Sequence, residues 1–161
     1  MSRQVNTGRQ GSIHLSSIRD GNNMGNQHRE LQDSAMAAYQ SCIELIQRKI
    51  KEEQSRRVCF TSTQTTLILS TAQVCQSLAT LCSTNPDMLP RFAVVCCDMI
   101  EICLQVCLEA LESLRAADLT LKLHDAKGNV PGHVELIREC SLVLGDCLEH
   151  CKNLRDQSQS A

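Results

Sequence analysis

Aromatic side chains are almost missing from this sequence: they make up 2% of it, as Tyr39, Phe60 and Phe92, with no tryptophan. A core of ordinary size takes much of its buried area from rings. The interior here must instead be built from Leu, Ile, Val, Ala and cysteine. No apolar run is long enough to cross a bilayer, so no membrane span is expected. Neither sign of charge dominates: 16 Lys and Arg stand against 18 Asp and Glu, a formal net charge of −2. Without a basic stripe, nucleic acid is not the expected partner. The first thirty residues are polar and hold no apolar h-region. No secretory signal is therefore expected, and the cytoplasm is the predicted compartment. The sequence has no G-x-x-x-x-G-K, no G-x-S-x-G and no H-E-x-x-H, so catalysis is not expected.

What the chain does have is cysteine, eleven in 161 residues. The density falls a little short of a small disulfide scaffold. The odd count means that they cannot all pair within one chain. In a reducing compartment a dense cysteine pattern points to metal or redox chemistry rather than to structural bridges.

The length suits one domain with a real core. Residues 1–28 lack periodicity and read as a disordered polar tail, in which His14, Met24 and His28 are solvated. Residues 29–158 read as an all-α, antiparallel up-down-up-down four-helix bundle, with helices at about 31–53, 61–83, 86–116 and 132–155. The first helix alternates Met36, Tyr39, Ile43, Ile46 and Ile50 at spacings of three and four. The second places Ile68, Thr71, Cys75, Leu78 and Cys82 on one stripe. Asn85, Pro86 and Asp87 have the chemistry of a helix start. The third stripe is Cys96, Ile100, Cys103, Cys107, Ala110 and Leu114. The fourth is His133, Ile137, Cys140, Leu144, Cys147, Cys151 and Leu154. Between the last two helices, Gly128, Asn129, Pro131 and Gly132 act as breakers. Leu119, Leu121 and Leu123 alternate there as a short extended piece or a frayed helical turn.

Cys96, Cys103 and Cys107 are spaced by seven and then four, and Cys140, Cys147 and Cys151 repeat that spacing. At about 100° per residue each trio lies within about 40° of helix circumference, on the stripe that carries the apolar core. Cys75 and Cys82 are also seven apart. Eight of the eleven cysteines thus fall on inward seams, where a random scatter over heptads would put about three. An antiparallel turn centred near residue 123 sets residues whose numbers sum to about 247 at one height. Cys107 then meets the level of Cys140, and Cys96 that of Cys151; the turn near Asn85 brings Cys75 toward Cys96. The expected groups are Cys75, Cys96 and Cys151 at one end, and Cys103, Cys107, Cys140 and Cys147 further along.

Within a helix, Cβ atoms four residues apart are separated by about 5–6 Å. A disulfide prefers nearer ~4 Å, so a bridge there would distort the helix. Soft thiolates select Cu(I), Zn(II) or iron–sulfur clusters. Structural zinc wants four ligands closing one tetrahedron. A column of sulfurs over several turns suits an ion that accepts few ligands and binds in series, with Cu(I) first and Zn second. Any single cysteine also serves as a small buried hydrophobe. Cys42, on the flank of the first helix, and Cys97, off its seam, are read that way and stand only as lesser metal candidates. His133, one heptad before Cys140, is a further candidate ligand at the mouth.

The third-helix stretch CCDMIEICLQVC from Cys96 to Cys107, and the fourth-helix stretch ECSLVLGDCLEHC from Glu139 to Cys151, resemble the cysteine-rich four-helix-bundle copper storage proteins. With the weaker match in the second helix, the resemblance covers about the last two-thirds of the chain. It implies a cytosolic store or buffer holding several Cu(I) ions between inward thiolates, and homo-oligomeric assembly, often as a tetramer. The first helix offers only Cys42, and the second has Ala72 and Ala79 where a richer member would hold thiols, which implies a smaller capacity. The alternatives are a zinc-binding bundle, a thiol redox protein using Cys59, Cys96 or Cys97, and a metal-free interaction bundle with cysteine as core.

Overall fold

A computed structural model of the chain describes residues 16–53, 60–122 and 132–159, with side chains over 24–48, 60–116 and 134–157. Four helices follow one another: α1 (Ser16–Glu53), α2 (Ser62–Thr84), α3 (Leu89–Lys122) and α4 (Gly132–Gln159). Each packs along the next, and α1 closes the ring by packing along α4. The chain folds as the expected four-helix bundle, and no strand occurs among the described residues.

Local chemistry sets the helix ends. Thr61 opens α2 with a reciprocal capping box: its hydroxyl accepts from the Gln64 amide at 3.2 Å, and the Gln64 side chain accepts from the Thr61 amide at 2.8 Å. Two otherwise orphaned donors are thereby satisfied. At the other end the Asn85 amide donates to the Leu81 carbonyl at 3.0 Å. Asn85 then leads into a single 3₁₀ turn, Pro86–Met88, with Pro86 in the first position. The expected helix start is therefore a tight turn that hands over to α3 at Leu89, and the Asn85 side chain caps nothing.

Helix α1 differs most from expectation. It begins at Ser16 rather than near Leu31, so residues 16–28, read as tail, are helical; residues 1–15 lie outside the described residues. Its inward face is Leu31, Ala35, Ala38, Cys42 and Leu45, at spacings of four and three. Met36 of the expected stripe is 37% exposed, and Tyr39, Ile43 and Ile46 are only half-buried on the flank. The inward stripe lies roughly a quarter turn from the expected one. The reason is steric. At the middle of α1 the inward positions are taken by the small side chains Ala35, Ala38 and Cys42, which let the helix pack closely on its neighbours, while Tyr39, Ile43 and Ile46 fill the seam beside them.

Helix α3 continues to Lys122 and takes in Leu119 and Leu121 as helix; Leu123 lies outside the described residues. With Phe60 the one fully buried ring among the described residues, the interior is Leu, Ile, Ala and Cys. Each fully buried Leu or Ile there contributes about 1.5–3 kcal/mol. No described helix is long and apolar enough to cross a membrane.

Candidate metal centre

The inward stripes place nine cysteines in the interior: Cys42, Cys75, Cys96, Cys97, Cys103, Cys107, Cys140, Cys147 and Cys151 are all buried. Cys82, at the end of α2, is half-buried. All ten described cysteines are free thiols. Cys59 and the His133 side chain lie outside what is described.

The thiols form two joined groups. In the first, Cys42 of α1 and Cys140 of α4 meet with their Sγ atoms 3.7 Å apart. Cys103 is hydrogen-bonded with Cys107 and Cys42, and Cys140 with the same two thiols. Hydrogen bonding with Cys103 and Cys140 holds Cys42 and Cys107 far above the usual thiol range, and burial pushes them the same way. The bonds that they receive hold Cys103 and Cys140 below that range.

The second group centres on Cys147, which receives hydrogen bonds from Cys151 and Cys75 and is held below the usual range. Donation to Cys147, reinforced by burial, pushes Cys75 and Cys151 up. Burial, then the neighbouring Cys147, raises Cys96 to about 12. The same two causes raise Cys82 to about 11. Cys75 also feels the charge of Cys103, which links the two groups along the axis.

The expected register between α3 and α4 holds: Cys107 meets Cys140, and Cys96 lies by Cys151. Cys75 also lies beside Cys96, as expected. Cys147 belongs with Cys75, Cys96 and Cys151 rather than with Cys103 and Cys107. Its place in the first group is taken by Cys42, which is expected on the flank of α1 and lies fully buried in the core. Cys97 is buried beside Arg155 and Lys152 at the edge where α3 meets α4. There Lys152 also pairs with Glu101 at 3.3 Å, an exposed contact that contributes little to stability.

Three hydroxyl residues stand beside the sulfurs; Thr71 lies on the expected α2 stripe, while Ser34 and Ser41 lie on no stripe read from the sequence. Ser41 stands by Cys140, Ser34 by Cys147 and Thr71 by Cys103. Thr71 is fully buried and donates to the Leu67 carbonyl at 2.9 Å. A signal for two of them exists: Ser34 and Ser41 are seven apart on α1, as Cys140 and Cys147 are on α4. Reading it requires knowing that α1 and α4 touch.

Among the described residues, no three or more His, Cys, Asp and Glu side chains converge as a ready-made metal site. No family model matches the chain, and no curated protein or solved structure matches it either.

Proposed function

We propose that this chain binds several Cu(I) ions through the thiols of its bundle interior and serves as a copper store or buffer without catalysis. The observation that carries this reading is the 3.7 Å approach of Cys42 and Cys140 within a ring of four buried thiols. Soft sulfur donors favour Cu(I) over harder ions. A linear pair of sulfurs on a soft ion spans about 4.6 Å, twice the ~2.3 Å of a metal–thiolate bond. Thiols already in contact reach that separation by small rotamer changes. A ring of four sulfurs would also serve zinc, but the thiols continue beyond the ring to Cys75, Cys147, Cys151 and Cys96, and a column of that length favours several ions with few ligands each.

The ligands on this reading are Cys42, Cys75, Cys96, Cys103, Cys107, Cys140, Cys147 and Cys151, with Cys82 at the end of the column. Each thiol that becomes a ligand releases its proton to water, so loading is a proton-coupled exchange. The reading also calls for a reducing compartment, which the cytoplasm supplies. Burial of nine cysteines speaks against thiol redox catalysis, which needs an accessible thiolate.

The test is an anaerobic titration of the reduced full chain with Cu(I) against a chromophoric chelator. Several equivalents bound per chain before the chelator colours are expected. One equivalent or none overturns the proposal.

A further inference from the structure

Helix α2 holds no Asp, Glu, Lys, Arg or His in its 23 residues. Beside it, Met88 and the α3 residues Phe92, Val95, Met99, Ile102 and Val106 alternate at spacings of four and three, each one position before a core residue. That sets them about 100° around the helix from the core. The opposite edge of α3 meets α4 through Cys97 and Glu101, so this second stripe looks out on the side of α2. Val95 is 58% exposed and Ile102 52%. Leu67, Ser70, Val74, Ser77 and Leu81 form the matching stripe on α2, again each one position before a core-facing residue. Ser77, Thr80 and Leu81 line a shallow groove with Phe92 on this face. The Ser77 and Thr80 hydroxyls donate to the Gln73 and Gln76 carbonyls, both at 2.9 Å. Their donors are satisfied without water, so covering them costs little. A continuous uncharged, apolar strip of this kind marks an interface.

We propose that a second copy of this chain covers the α2–α3 face, with the two α3 helices antiparallel about a two-fold axis between Met99 and Ile102. An antiparallel seam sets Met99 against the partner's Ile102 and Val95 against the partner's Val106. Charge selects that direction. Arg91 and Glu112 are exposed on one edge of the stripe, three heptads apart near the two ends of α3. The antiparallel pair brings Arg91 to the partner's Glu112 and Asp98 to the partner's Gln105, whereas a parallel pair sets like charges at one height. The same axis suits α2. Leu81 shares its groove with Phe92, and at that register Leu67 meets the partner's Ser77 and Val74 the partner's Ser70, large side chains against small. Over the 23 residues of α2 the face is about 35 Å long and two helices, about 20 Å, across. It covers roughly 700 Å² per copy, against ~800 Å² per partner in a standard interface. One patch shared by both copies closes as a dimer. The inference stands apart from the copper reading, and its test uses no metal.

Sedimentation equilibrium of the full-length, metal-free chain at micromolar concentration reads the assembly, with excess reductant to exclude disulfide cross-links. The expected mass is that of two chains. Ile102→Asp and Val95→Asp each put a charge in the seam on a side chain already more than half exposed. Helix content by circular dichroism is expected to stay, and the mass to fall to one chain. Leu142→Asp, on the outer face of α4 and 65% exposed, is expected to keep the dimer. Arg91→Glu turns two rim pairs to repulsion and is expected to raise the dissociation constant about tenfold. Arg91→Glu combined with Glu112→Arg is expected to restore it. A wild type that stays monomeric overturns the proposal, and leaves the face to some other occupant. So does an assembly of any size that both aspartate variants leave intact. Failure of the double variant to recover the wild-type affinity overturns the antiparallel register.

Discussion

The Sγ atoms of Cys42 and Cys140 lie 3.7 Å apart although 98 positions separate them in the chain. That contact joins the first helix to the last and turns three cysteines on α3 and α4 into a ring of four. It makes Cys42 a member of the thiol core and sets it apart from Cys97, which is equally buried but lies at the α3–α4 edge.

The two cysteines are therefore expected to behave differently. Cys42→Ala should lower the Cu(I) equivalents bound in a chelator titration, while Cys97→Ala should bind as many as wild type. Equal loss from both variants would show that burial alone, and not membership of the ring, decides ligation.

Copper bound only by the folded chain adds stability by mass action. At a free concentration one hundred times the dissociation constant, the gain is about 2.7 kcal/mol per site. For a chain of this length that is a rise in melting temperature of roughly 5–10 °C. Thermal unfolding followed by circular dichroism, with and without Cu(I) under anaerobic conditions, checks it. Coincident curves would place any copper outside the core.

The thiols also fix the alkaline limb of stability for the metal-free protein. Burial and neighbouring sulfur raise Cys82 from 9.0 to about 11 and Cys96 from 9.0 to about 12. Above about pH 9 these thiols lose their protons in the unfolded chain and keep them in the folded one. The unfolded state then binds fewer protons, and stability falls as pH rises. The contribution is whole below pH 9 and is lost as pH climbs through 11 and 12. Urea midpoints under reducing conditions should be lower at pH 10.5 than at pH 8.5. A midpoint that does not move would mean that the sulfurs are solvated.

Gly145 sits inside α4, and a Cβ built there meets nothing within 4 Å. Gly145→Ala removes backbone freedom from the unfolded chain without a clash. It should stabilise the protein by about 0.4–1 kcal/mol. A rise in the urea midpoint at unchanged slope is the expected result. A fall would show that the outer face of α4 is covered by something larger than solvent.

Much of this arrangement can be read from residue order. The seams of α2, α3 and α4 follow from Ile68, Cys75 and Leu78, from Cys96, Cys103 and Cys107, and from Ile137, Cys140, Leu144 and Cys151, all of which are buried. The pairing of Cys107 with Cys140 follows from a loop centre and the 1.5 Å helical rise. The rotation of α1 does not follow. Its large side chains Met36, Tyr39 and Ile43 mark a flank, and its small ones, Ala35, Ala38 and Cys42, mark the axis. Hydrophobicity ranks these two sets in the wrong order, because space near the axis, and not transfer from water, chooses between them.

The sequence by itself determined that this is a bundle of amphipathic helices carrying two matched thiol stripes. Both properties rest on contacts between residues three, four and seven apart, which one helix makes alone. Only the tertiary structure decided which sulfurs meet. It drew Cys147 to Cys75 and Cys42 to Cys140, and it laid Ser34 of α1 beside Cys147 of α4. Those encounters depend on how far each helix turns about its own axis when four surfaces are packed at once, a quantity that no single helix holds.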